Sequence, residues 1–175
     1  MSGIIGVSPD MRSGVLGAWP SGHVVQVVST PLNDKFTVSP GSAWDNIDEL
    51  YLTITPSSSS NKILLQTTIQ GQAQQGYWCY FGINRTIGGS SELIGIGEPR
   101  DARTRASAGG MEATEYGVES GAFSFLDSPS TTSSITYSVQ VIGNDYIYIN
   151  RNRDDGNYAM SPSLTSTITA MEITG

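Results

Sequence analysis

From His23 onward, hydrophobic and polar positions alternate with a period of two, broken at short intervals by Gly, Pro and Ser. Such alternation puts successive side chains on opposite faces of a strand, one toward a core and one toward water. "GHVVQVVST" predicts a short strand ending at Pro31, and "DKFTVSP" another. "ELYLTITP" sets Leu50, Leu52 and Ile54 against Tyr51, Thr53 and Thr55 and stops at Pro56. After the turn "SSSSN", "KILLQTTIQG" places Ile63, Leu65 and Ile69 on one face and Gln66, Thr68 and Gln70 on the other. In "GYWCYFGINRTI", Tyr77, Cys79, Phe81 and Ile83 oppose Trp78 and Tyr80. A strand apolar on both faces is expected at the centre of a sheet or at a subunit contact. Gly88–Gly89 then turns the chain.

Residues 95 to about 117 form the longest stretch without a strand pattern. A short helix over 101–108 would have little apolar face, so an exposed loop is expected. Strands resume in "VESGAFSFLDS", "SITYSVQV", "DYIYIN" and "LTSTITAMEITG". Gly143–Asn144, between two alternating runs, predicts a hairpin. In "LDSPSTTSSITYSVQV", Ser-Pro favours a turn, and Asp127 is expected to bond local backbone amides. About nine or ten short strands and no long helix predict an all-β sandwich or jelly roll over residues 23–175.

Residues 1–22 break the pattern. They hold five glycines and two prolines, yet Ile4, Ile5, Val15, Leu16 and Trp19 need burial somewhere. An extended attachment arm is expected there, packed on a partner or subunit, or else on its own domain.

Composition narrows the function. The 175 residues suit one domain with a real core. A net charge of −7 with only two lysines, Lys35 and Lys62, argues against nucleic acid, whose binding needs phosphate neutralisation, and against an anionic membrane. The N-terminal residues carry no basic leader, so no Sec signal is expected, and no run is long enough to span a bilayer.

Candidate chemistry is sparse. His23 is the only histidine, and no G-x-S-x-G elbow accompanies it, so a structural or solvent-facing role is expected. Cys79 sits among aromatics and reads as a small buried hydrophobe. One His and one Cys cannot make the usual zinc set. "NRNRDDGNY" resembles a calcium loop, but its glycine comes one place late, the terminal glutamate is missing, and Arg151 and Arg153 oppose the charge; a polar turn is the plainer reading. No catalytic, cofactor or metal residue is therefore assigned, and a non-enzymatic protein is expected. Two groups remain open. Glu98, Arg100, Asp101, Arg103 and Arg105 alternate charge along the 95–117 loop, fitting either an exposed recognition loop for a receptor or glycan, or a solvated loop held by local ion pairs. Trp19, Trp44, Trp78, Tyr77, Tyr146, Tyr148 and Tyr158 could line a sugar site, though core and interface account for most aromatics.

The phrases "TPSSSSNKILLQTTIQG", "GINRTIG", "SFLDSPSTTSSITYSVQV", "YIYIN" and "STITAMEI", with the opening "PDMRSGVLGAWPSGHVVQ", resemble a group of tailed-phage virion proteins of marine and cyanobacterial phages. That resemblance covers nearly the whole chain and implies a homotrimeric jelly roll of the tumour-necrosis-factor or C1q type. It implies a place in the virion, as capsid decoration or in a fibre, tail or needle tip, with other virion proteins as partners and no catalytic residues. A host-receptor or glycan-binding adhesin is the alternative, and a glycan-cleaving enzyme the third reading.

Overall fold

The computed structural model of the chain describes residues 20–111 and 117–175. The arm residues Ile4, Ile5, Val15, Leu16 and Trp19 lie outside the described residues. Ten strands form in chain order: β1 (Val24–Leu32), β2 (Phe36–Val38), β3 (Asp45–Ile54), β4 (Lys62–Ala73), β5 (Cys79–Ile87), β6 (Ser90–Ile94), β7 (Glu119–Asp127), β8 (Ile135–Gly143), β9 (Ile147–Ile149) and β10 (Ser166–Ile173). No helix appears among the described residues.

The strands pair into two antiparallel sheets. In the first, β1 pairs β10, β10 pairs β4, and β4 pairs β7. Gly71 of β4 faces Ile149 on one side and Glu119 on the other, so β9 continues the line of β10 on the same edge of β4, with β2 beyond it. The second sheet runs β3-β8-β5-β6. With the short β2 and β9 set aside, the pairs β5·β6, β4·β7, β3·β8 and β1·β10 nest one inside another. The chain is thus one long hairpin, with its tip at Gly88–Gly89, rolled so that alternate pairs fall in opposite sheets. This is the jelly-roll plan. Both tip glycines have positive φ, 56° and 86°, which suits the mirror-image turn that matches strand twist.

The inward positions follow the alternation. Ile63, Leu65 and Ile69 from β4, Leu50, Leu52 and Ile54 from β3, and Ile135, Tyr137, Val139 and Val141 from β8 are all buried in one core. Burying a side chain of this size contributes roughly 1.5–3 kcal/mol, so the alternation itself selects the register. β5 lies between β8 and β6, as its two apolar faces predict.

Two expectations change, and one strand forms that the alternation does not announce. Gly143–Asn144 is not a hairpin: β8 lies in one sheet, whereas β9 pairs β4 and β2 in the other. The turn carries the chain across the sandwich. Tyr77 precedes β5 and is exposed rather than sharing the inward face with Cys79, Phe81 and Ile83. Residues 90–94, which carry little apolar pattern, still form β6 because the tip turn delivers them to the free edge of β5.

At the other end of the chain, Thr174 Oγ1 accepts from His23 N at 2.9 Å and donates to Pro20 O at 2.5 Å, stitching the start of the sandwich to the end of β10.

Candidate functional site

The 95–110 loop leaves β6 and returns to β5 as a closed neck. Gly97 N donates to Ala106 O at 3.2 Å, Arg105 Nε donates to Gly97 O at 2.6 Å, and Ser107 Oγ donates to Ile94 O at 3.2 Å. Beyond the end of β6, the edge of β5 is taken over by the loop itself. Phe81 N donates to Ala108 O, and Phe81 O accepts from Ser107 N and Ala108 N. Gly110 then passes so close that a Cβ there would lie 1.6 Å from Cys79 O, which restricts the position to glycine.

This anchoring sets the loop's charged tip beside the outward side chains of β5 and the residue before it. Trp78 and Tyr80 form a tilted pair, ring centroids 5.1 Å apart and planes at 30°. Together with Glu98, Arg100, Arg103, Thr104 and Arg105 they line an open hollow of about 580 Å³. A turn, in which Arg103 N donates to Arg100 O at 3.0 Å, brings Arg100 and Arg103 together. A second hollow of about 350 Å³, reaching Tyr77 and Gly110, is lined by the same aromatic pair.

Of the predicted recognition loop, Glu98, Arg100, Arg103 and Arg105 line this hollow; Asp101 occupies the turn with φ 47° and does not line it. The local ion pairs expected of a merely solvated loop are not formed among the described residues: the salt bridges there join Lys35 and Arg151 to Asp155, and Arg85 to Glu92 and Asp127. The sequence did not reveal that Trp78 and Tyr80 would meet the arginines. Some twenty residues separate them, and the bridge between Phe81 and Ala108 that joins them has no sequence signature.

The other candidates are structural. Cys79 is buried; its Sγ accepts from Met111 N at 3.3 Å, and burial pushes the thiol above its usual range. Asn150 and Asn152 of the calcium-like segment are buried and bonded inward: Asn150 Nδ2 donates to Leu32 O and Asp34 O, and Asn152 Oδ1 accepts from Asp155 N. Asp155 is bonded to Lys35 at 2.9 Å, which holds its carboxyl below the usual value. Asp127 departs from expectation. Its carboxylate is buried and crosses to the opposite sheet, accepting from Arg85 Nη1 at 2.6 Å and Tyr137 Oη at 2.7 Å. Arg85 also pairs with Glu92. Burial pulls the Arg85 guanidinium down, but bonds to Asp127 and Glu92 outweigh it, and its affinity for the proton rises.

The outward face of the first sheet is the broadest feature. Registers align Val27, Met171, Leu64 and Leu126 in one row across β1, β10, β4 and β7. Val27 is 56% and Leu126 45% exposed. The next rows are Ser29, Thr169, Gln66 and Ser124, then Pro31, Thr167, Thr68 and Ala122. None of the positions in these three rows is charged; the one lysine of this face, Lys62, lies at its end, paired with Ile173. On the second sheet the corresponding rows, Tyr51·Ser138·Asn84·Leu93 and Thr53·Thr136·Thr86·Ser91, are mixed or hydroxyl-bearing.

The nested strand order across two sheets defines a jelly-roll β-sandwich module. No protein-family model matches the chain, and none of the curated proteins matches it. Among solved structures, it is similar in fold to infectious bursal disease virus, Gt strain, at TM-score 0.46 and 15% identity, over 99% of this chain and 43% of that one. The Gx strain of the same virus gives 0.45 and 12%, over 99% and 42%. The VP2 protein of that virus, in derived T=1 particles, gives 0.42 and 13%, over 98% and 40%. The chain spans less than half the length of these matched chains.

Proposed function

We propose that this chain is a non-enzymatic virion structural protein of a tailed phage, a homotrimeric surface module whose protomers meet through the outward face of the β1-β10-β4-β7 sheet. The observation that carries it is the apolar row Val27–Met171–Leu64–Leu126, which spans all four strands with Val27 and Leu126 exposed at its ends and Met171 and Leu64 half-buried between them. A contiguous apolar row on a face poor in charge marks an association surface. The flanking Ser/Thr/Gln rows form hydrogen bonds without desolvating a full charge. The phrases shared with phage virion proteins support the same reading, as does the shortage of lysine. Residues 1–22 serve as the arm that docks onto capsid, collar or fibre, and the sandwich provides surface display.

Light scattering on the purified chain tests it. A trimer is expected, and Leu64→Lys with Met171→Glu should give a monomer with unchanged circular dichroism. A wild-type monomer at all concentrations, or a trimer untouched by the double substitution, overturns the interface. Deleting residues 1–22 should abolish incorporation into virions while leaving the fold intact; unchanged incorporation overturns the arm.

A further inference from the structure

We propose that the hollow between the 97–109 loop and the Trp78–Tyr80 pair binds an acidic saccharide. The inference rests on the recognition reading of the loop and is independent of the trimer interface, which lies on the other sheet. Three observations converge on it. Trp78 is 41% exposed and paired with Tyr80, so aromatic surface lines two open hollows. An aromatic face of this kind takes the C–H face of a pyranose ring, and two hollows sharing it suit more than one residue of a chain. Arg100, Arg103 and Arg105 then supply three of the nine lysines and arginines in a chain of net charge −7, all on one rim. Their guanidiniums make no ion pair among the described residues, in contrast to Lys35, Arg85 and Arg151.

A planar guanidinium holds a carboxylate or sulfate through two parallel N–H donors, which a neutral sugar cannot exploit. Arg100 and Arg103 sit across one turn and can clamp one acid group, while Arg105 is partly committed through Nε to Gly97 O. Glu98 shares the lining and accepts from sugar hydroxyls. Its negative charge also limits how many acid groups the hollow tolerates, favouring one acidic unit flanked by neutral or aromatic-stacked units. The overall negative charge disfavours a phosphate polymer, whose dense charge would be repelled beyond the rim.

Titration of the intact chain with sialyllactose, trigalacturonate, lactose and maltotriose, followed by saturation-transfer NMR and calorimetry, tests it. At least one acidic sugar should bind, with affinity falling as salt rises, and its neutral counterpart should bind at least tenfold more weakly. Trp78→Ala should abolish binding, and Arg100→Gln with Arg103→Gln should weaken it about tenfold. Far-UV circular dichroism checks that each variant remains folded; both sets of side chains lie at the surface. Glu98→Gln should bind the acidic sugar at least as tightly. Equal binding of neutral sugars overturns the acidic specificity while leaving sugar recognition standing. Binding by none of the four overturns both, and binding unchanged in the arginine variant overturns the site.

Discussion

Tyr137 Oη donates a 2.7 Å hydrogen bond to Asp127 Oδ2, linking β8 of one sheet to the end of β7 in the other. Arg85 Nη1 holds the second carboxylate oxygen at 2.6 Å, so a single buried acid clips the two layers together near the open edge of the sandwich. Without its carboxylate, Arg85 keeps a largely buried charge and Tyr137 an unpaired hydroxyl. Breaking one partner of a buried pair costs about 3–5 kcal/mol. Asp127→Ala should lower the stability by about 3 kcal/mol, read as a shift in urea midpoint with little change in slope. A change within 0.5 kcal/mol would show that the clip is dispensable.

The same contact sets a dependence on alkaline pH. Burial, reinforced by the bond to Asp127, pushes the Tyr137 phenol far above its usual value of 10.0. A group whose folded pKa is raised contributes stability that is complete below the unfolded pKa and is lost as pH climbs above it. Wild type should therefore lose stability above pH 10, and Tyr137→Phe should lose less over that range. At pH 7, Tyr137→Phe should cost about 2 kcal/mol, the worth of a hydrogen bond to a charged acceptor. Parallel alkaline limbs in wild type and variant would contradict this.

Gly110 and Gly97 offer a paired test of the loop anchor. A Cβ at Gly110 would sit 1.6 Å from Cys79 O, whereas one at Gly97 would meet nothing within 4 Å. Overpacking against fixed backbone costs about 1–3 kcal/mol, while an open surface site stays within about 0.5 kcal/mol. Gly110→Ala should lower the thermal midpoint and raise hydrogen exchange at Phe81 and Ala108. Gly97→Ala should leave both unchanged. Equal effects would place the constraint elsewhere.

What could be read from the chain follows its physics. Over Leu50–Ile54 of β3, Ile63–Ile69 of β4 and Ile135–Val141 of β8 the chain alternates because one face is buried, and the inward sets of these stretches were visible in advance. β6 was missed because an edge strand with "SSELI" buries little and leaves little apolar pattern. Gly143–Asn144 misled because a glycine–polar pair specifies a turn but not which sheet receives the next strand. Asp127 read as a turn residue, since Ser128–Pro129 follows it; its partner Arg85 lies 42 residues away and nothing local announces the contact. The loop arginines were legible as a group. Their aromatic neighbours were not, because juxtaposition across β5 depends on long-range pairing.

Glu172 shows how strictly the alternation governs even where it opposes composition. In β10 it follows Ser166, Ile168 and Ala170 on the inward face and is buried. Its Oε1 accepts from Ser57 N and Ser57 Oγ, both at 2.7 Å, and from Asn61 Nδ2 at 2.6 Å. The carboxylate thereby fixes the loop between β3 and β4 against the last strand. Burial alone would raise its pKa, but the donors from Asn61 and Ser57 together outweigh it and hold the carboxyl below the usual 4.5. A group with a depressed folded pKa contributes stability that is present above the unfolded value and is lost as pH falls through the folded one. Stability should therefore decline as pH drops below about 4.5, in part through this group. In Glu172→Gln the amide cannot ionise and turns one donor toward a site already full of donors. The substitution should cost about 2 kcal/mol at pH 7, the range for hydrogen bonds to a charged acceptor, and should flatten the acid limb of the stability curve. Denaturant titrations at pH 3 and pH 7 decide it: an undiminished difference between the two pH values in the variant would assign the acid dependence to other carboxylates.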